Sequence, residues 1–243
     1  MPASLQDFEI KSLPASAYYI ADFISEDEEA VILNKIAATP KPKWKYLLKR
    51  RLQTWPSDLT AKNALLESQL PPWLTDPIVA RILSYPKSTA REDNIFTNSP
   101  HQAPNHVLVN EYVPGQGISP HKDGSAYHPV VCTVSLGASL CLDLYGTKED
   151  GTIEDQPRWK ILQEPRSLLI TTDSLYTDYL HGIAEVTEEQ NIGPQIVANW
   201  DLLRSREQFG AGRFDRSTRT SLTYRDVLKV SKLGNKFGNL GKR

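Results

Sequence analysis

The sequence predicts a mainly β (α+β) fold, a sandwich or barrel of short strands preceded by helical flanking segments. Three observations carry this. From His106 the residues alternate with a period of two, with His106, Leu108, Asn110 and Tyr112 on one face and Val107, Val109, Glu111 and Val113 on the other. Strand-like runs then recur between Gly-, Pro- and Asp-rich turns: Val130 to Leu136, Leu140 to Tyr145, Trp159 to Leu162, Ser167 to Thr171 and Thr218 to Tyr224. Near the other end, Ser25-Glu26-Asp27-Glu28 has the form of a capping box, with Ser25 as the cap and Glu28 reaching back.

Taken in order, residues 1–17 read as a leader that packs late or stays loose. Tyr18 to Ile24 is a short strand entering a turn, and the capped helix carries Val31, Ile32 and Ile36 as its apolar stripe until Pro40 stops it. Residues 41–56 interleave Lys43, Lys45, Lys49, Arg50 and Arg51 with Trp44, Tyr46 and Trp55. Cations attract phosphates and flat rings stack on exposed bases, so Lys43, Trp44, Lys45, Tyr46, Lys49, Arg50 and Arg51 form a candidate single-stranded nucleic-acid surface. The plainer alternative is a solvated basic hairpin whose aromatics pack inward. Leu59 to Leu70 reads as helical, a second helical run follows Pro71-Pro72, and residues 87–105 read as a loop. The whole divides into a helical or lid extension packed on the core over 18–105, a β domain over 106–228 and a basic tail over 229–243. In that tail Lys229, Lys232, Lys236, Lys242 and Arg243 have one nearby acid, Asp226.

Composition narrows the class. A 243-residue chain with 40% hydrophobic and 23% charged residues is an ordinary soluble globular protein. Its formal net charge of −1 excludes a global attraction to nucleic acid or anionic membrane, leaving only a local patch. Cys132 and Cys141 are the sole cysteines, both in apolar runs, which suits two buried thiols in a reducing compartment. No apolar run reaches the ~18 residues that a membrane span needs, and Met1-Pro2-Ala3-Ser4 lacks the pattern of a signal peptide. The expectation is a monomeric protein of the cytoplasm and/or nucleus, with no membrane partner.

The chemistry concentrates in Pro120-His121-Lys122-Asp123-Gly124. On extended backbone His121 and Asp123 project from one face and converge, while Lys122 points away. An imidazole and a carboxylate at one point are two thirds of the 2-His-1-carboxylate set that holds non-haem Fe(II). His181, in Tyr179-Leu180-His181-Gly182-Ile183, read alone is a core imidazole. Arg219, Ser221, Thr223 and Arg225 share one face of a late strand. Two guanidinium groups facing inward demand counter-ions, and a diacid suits their fork geometry; on an edge strand they are surface charges instead.

Asn110-x-Tyr112, His121-x-Asp123, His181 and Arg219-x-Ser221-x-x-x-Arg225, in that order, resemble the AlkB-like family of Fe(II)/2-oxoglutarate dioxygenases. The words around them, HVLVNEYVPGQGISPHKDG, QEPRSLLIT and YLHGI, are most similar to the sixth homologue class of that family. The resemblance implies a double-stranded β-helix, or jelly roll, with Fe(II) on His121, Asp123 and His181. It further implies 2-oxoglutarate as cosubstrate with O₂, its distal carboxylate held by Arg219 and Tyr112, with Asn110, Ser221 and Arg225 completing the pocket. The family's chemistry is oxidative dealkylation, releasing an N-methyl carbon as formaldehyde. Two features depart from the family. Gly124-Ser125-Ala126 stand where nucleic-acid-repairing members commonly carry an acidic residue. The spacing from His181 to Arg219 is also long, so residues 184–217 read as a mobile surface insertion. A dealkylase of RNA or single-stranded DNA is therefore weighed against a nucleic-acid-binding module with a vestigial oxygenase site, and against an oxygenase of protein side chains.

Overall fold

The computed structural model describes residues 3–14, 17–90 and 93–232. In chain order the first part holds β1 (Ala17–Ile20), α1 (Glu26–Ala37), β2 (Lys45–Leu47), β3 (Arg50–Trp55), β4 (Leu65–Leu66), α2 (Pro72–Thr75) and α3 (Ile78–Ser84). The middle holds β5 (His106–Tyr112), β6 (Ile118–His121), β7 (Val130–Leu136), β8 (Leu140–Tyr145), β9 (Trp159–Gln163), β10 (Leu168–Thr172) and α4 (Asp173–Thr177). The chain continues through β11 (Leu180–Ile183), β12 (Glu188–Gln190), β13 (Arg213–Asp215), β14 (Arg219–Arg225) and β15 (Val230–Ser231).

Two sheets make the body. A seven-stranded sheet runs β1-β10-β7-β14-β5-β3-β2, and a four-stranded sheet runs β6-β11-β8-β9. They face each other across a cavity whose lining comes from both, Asn110 and Arg219 on one side, His121 and His181 on the other. The arrangement is that of the jelly roll. Period-two alternation gives the large sheet two different faces. Val107 and Val109 of β5 join Val134, Leu136, Leu222 and Tyr224 in a core closed by Ile32, Ile36, Leu74, Ile78 and Ile82 of the helices. Leu108, Asn110 and Tyr112 turn the other way, into the cavity. The Tyr224 hydroxyl donates to the Leu74 carbonyl oxygen at 2.9 Å, satisfying a fully buried polar group and tying β14 to α2.

Helix α1 starts where the capping box places it. The Glu28 amide donates to the Ser25 hydroxyl at 3.1 Å, and the Ser25 amide to the Glu28 carboxylate at 2.8 Å. Elsewhere the sequence reading needs correction. Leu59 to Leu70 forms turns and the short β4, paired in parallel with β15, because Asn63 at φ +54° is a left-handed turn residue that no helix continues through. Of the two readings of the leader the packed one holds, with Leu5 and Ile10 buried. The extension over 18–105, expected to be helical and packed on the core, also supplies most of β1 and all of β2 and β3 to the large sheet. Residues 184–217 are likewise built in. Ile192, Val197, Leu203 and Phe209 bury against Cys141, Leu144 and Ile161, and the buried Arg216 pairs with Glu189, whose carboxylate also accepts from the Cys141 amide at 3.0 Å. Buried apolar side chains at wide spacing within a polar stretch carry no period, so composition alone suggests a surface loop. Of the basic tail, Lys229 and Lys232 are exposed on either side of β15, while Lys236, Lys242 and Arg243 lie outside the described residues.

Candidate active site

The cavity between the sheets measures about 260 Å³. At one end stand two neighbouring imidazoles. Strands β6 and β11 pair antiparallel with His121 directly opposite His181, and the ring centroids lie 4.4 Å apart. Next to the Ile118–Ile183 pair of these strands the backbones come so near that a Cβ on Gly117 would sit 2.2 Å from the Ile183 carbonyl oxygen. Asp123 follows just past the end of β6, and ligand atoms of His121, Asp123 and His181 all fall within 4.8 Å of one another. Nδ1 of His121 lies 2.9 Å from the Ser119 carbonyl oxygen. A carbonyl can only accept, so Nδ1 is the protonated donor here and Nε2 is the ring nitrogen left to act as a ligand. Burial is the main cause that pushes the His181 pKa down to about 4, so that imidazole is neutral near pH 7. Two imidazoles and one carboxylate converging on one point are a donor set suited to a divalent ion such as Fe(II).

Arg225 on β14 donates from Nη1 to Asp123 Oδ1 at 2.7 Å, both side chains nearly buried. This fixes the carboxylate and leaves its second oxygen for a cation. The guanidinium also lies 4.5 Å above the Tyr127 ring. Arg225, read from the sequence as completing the cosubstrate pocket, lines the same cavity as Arg219 and Asn110 and there pairs with the carboxylate of the triad.

Arg219 sits deeper and is differently served. It is 3% exposed, and its Nη2 donates to the Ser135 hydroxyl at 2.8 Å and to Gln163 Oε1 at 3.0 Å. Its Nε is buried with no partner. No carboxylate among the described residues pairs with it, and burial lowers its pKa to about 10. A guanidinium held in a low-dielectric wall without an anion is a receptor for one. The register places its neighbours: Tyr112 opposite Arg219 and Asn110 opposite Ser221. Tyr112 is buried, with its phenol pKa raised by burial, and Asn110 Oδ1 is a further buried atom without a partner. Among the described residues, these unmet groups gather on the cavity wall, where a small polar diacid fits their chemistry. Ser135 and Gln163 were missed by the sequence reading. Ser135 was legible, because period two sets it with Val131 and Thr133 on the inner face of β7; Gln163 has no such signal.

The basic hairpin is disposed otherwise than as a stacking platform. Arg51 makes a two-point pair with Glu111, Nε to Oε1 at 2.6 Å and Nη2 to Oε2 at 3.0 Å, and lies 4.2 Å over the buried Trp44 ring. Lys45 pairs with Asp58, and Lys49 with Glu185 at 2.5 Å. Lys43 sits 4.2 Å above Trp55, which itself packs edge-on against Trp73. Tyr46 alone keeps an open ring, 68% exposed. Arg50 turns away from the rest, into the cavity.

Residues 16–225 match the family model of the 2OG-Fe(II) oxygenase superfamily. A Danio rerio protein named "Probable RNA/DNA demethylase ALKBH6" is 38% identical over 234 residues, covering 93% of this chain and 92% of its own length. A Xenopus tropicalis tRNA (carboxymethyluridine(34)-5-O)-methyltransferase alkbh8 is 26% identical over 231 residues, and the chain spans 32% of its length. Among solved structures, a 2OG-Fe(II) oxygenase family oxidoreductase from Burkholderia pseudomallei aligns over 95% of this chain and 96% of its own, with TM-score 0.54 and 12% identity. OsALKBH1 aligns over 88% and 99%, with TM-score 0.51 and 18% identity. At such identities these structures bear on the fold alone. No helix among the described residues is long and apolar enough to cross a membrane.

Proposed function

The chain belongs to the 2OG-Fe(II) oxygenase superfamily, and from that premise we propose that it oxidatively removes alkyl groups, methyl foremost, from a nucleic acid. His121, Asp123 and His181 would hold Fe(II), and Arg219 with Tyr112 would hold the distal carboxylate of 2-oxoglutarate. When bound, the metal, the keto acid and O₂ supply the oxidising power for hydroxylation of a substrate C–H bond. The chain's own contribution is placement. Ser119 fixes the His121 tautomer, Arg225 fixes the Asp123 carboxylate, and Ser135 with Gln163 hold the guanidinium of Arg219 in position. Apolar side chains such as Leu142 and Leu144 line the same cavity and keep its dielectric low.

The substrate class rests on one observation, the near full-length identity to the Danio rerio protein whose name carries RNA and DNA demethylation. The intact triad speaks against a binding module with a vestigial site. The test follows succinate release above the uncoupled background with total RNA, single-stranded DNA oligomers and extract protein offered separately. Stimulation by methylated RNA or DNA and loss in His121→Ala support the reading. Stimulation by the protein fraction alone refutes the substrate class.

A further inference from the structure

Arg50 has no role in the site described so far, and its position is unusual among the cations of its hairpin. β3 pairs antiparallel with β5 so that Arg51 meets Glu111 and Leu52 meets Asn110. One step on, Arg50 comes opposite Tyr112, and period two puts it on the cavity side while Arg51 takes the outer side. Arg51, Lys45 and Lys49 each have an acid: Glu111, Asp58 and Glu185. Among the described residues Arg50 has none, and its Nε is buried without a hydrogen bond although it lines the cavity with the His121, Asp123 and His181 cluster.

The charges around the cavity can be compared directly. Arg225 is matched by Asp123. Arg219, on the deep wall at 3% exposed, suits the distal carboxylate of the keto acid. Arg50 is the remaining cation, and it is only half-buried, on the strand next to the sheet edge. An unmatched, half-buried guanidinium that lines a reaction cavity is within reach of a ligand arriving from solvent. We propose that Arg50 grips an anionic group of the substrate, a backbone phosphodiester beside the reacting nucleotide. This rests on the nucleic-acid reading above and makes it specific: one residue of the basic segment faces the cavity without an acid, while Lys45, Lys49 and Arg51 are each paired with one.

The test uses the full chain loaded with Mn(II) and 2-oxoglutarate and a fluorescein-labelled single-stranded RNA 15-mer read by anisotropy. Arg50→Gln should weaken binding about tenfold, as the loss of one charge-assisted contact does, and should lower the salt slope by about one. Arg50→Lys should recover part of the affinity. The Fe(II)–2-oxoglutarate absorption band should titrate as in the wild type, which also shows that the variant is folded. Equal RNA affinity in wild type and Arg50→Gln overturns the proposal. So does a marked loss of 2-oxoglutarate affinity, which would place Arg50 in the cosubstrate pocket. A second arm uses dimethyl phosphate, a phosphodiester without base or sugar, as an inhibitor of uncoupled 2-oxoglutarate turnover. If wild type ignores RNA but is inhibited by dimethyl phosphate, and Arg50→Gln is not, the anion site stands and the nucleic-acid reading fails. If neither ligand acts, both fall.

Discussion

Replacing Arg219 by Met should make the protein more stable and less able to bind its cosubstrate. Without an anion, the guanidinium is buried and answered only by two neutral oxygens, and its pKa is pushed down to about 10 from 12.5. At about 1.4 kcal/mol per tenfold change in proton affinity, the charged form carries a cost near 3 kcal/mol. Methionine keeps much of the aliphatic volume and removes the charge. It strands nothing, because the Ser135 hydroxyl also lies 3.2 Å from Gln163 Oε1 and the two then satisfy each other. The ligand-free variant should therefore unfold about 1–3 kcal/mol later than wild type. Its affinity for 2-oxoglutarate should fall at least about 100-fold, since a carboxylate loses charge-assisted hydrogen bonds worth roughly 1.5–3 kcal/mol each. Denaturant unfolding with and without 2-oxoglutarate, Mn(II) present to prevent turnover, reads both effects. Wild type at about 100 times its dissociation constant gains close to 2.7 kcal/mol, and the variant gains almost nothing at the same concentration. A variant that is less stable without ligand, or equally stabilised by it, refutes the reasoning.

Three other perturbations follow from the same contacts. Glu189→Ala leaves the buried Arg216 guanidinium without its anion and should cost about 3–5 kcal/mol, with amide exchange rising first in residues 184–217. Burial pushes the His106 pKa down to about 4, below its unfolded value of 6.5. The native state therefore binds fewer protons, and the stability present above pH 6.5 is lost as pH falls toward 4; His106→Gln should flatten that window by about 3 kcal/mol relative to wild type. Gly117→Ala places a methyl group against the Ile183 carbonyl oxygen and must part β6 from β11. Metal affinity should drop even in molecules that remain folded, measured by Mn(II) titration, and unchanged affinity would show that the His121–His181 approach does not depend on this glycine.

Local patterns were legible because they are governed by neighbours in the chain. The capping box at Ser25 and Glu28, the strand bounds of β7 and β8, and the shared face of His121 and Asp123 all follow from spacings of two to four residues. The meeting of His181 with His121 was not readable from periodicity, since it is set by the β6–β11 register across sixty residues; the family resemblance supplied it. The same limit explains the errors. A basic, aromatic hairpin looks like one continuous binding surface until Glu111 and Glu185, distant in sequence, arrive to pair with Arg51 and Lys49 and leave Arg50 facing the cavity. The polar stretch over 184–217 looks loose until Glu189 and Arg216 close on each other in the interior.

Anaerobic titration of the Fe(II) protein with 2-oxoglutarate tests the central claim most directly. A visible charge-transfer band should appear at one equivalent of metal in wild type and be absent in His121→Ala and Asp123→Ala. No band in folded wild-type protein, or a band undiminished in those variants, would contradict a ferrous site built on these side chains.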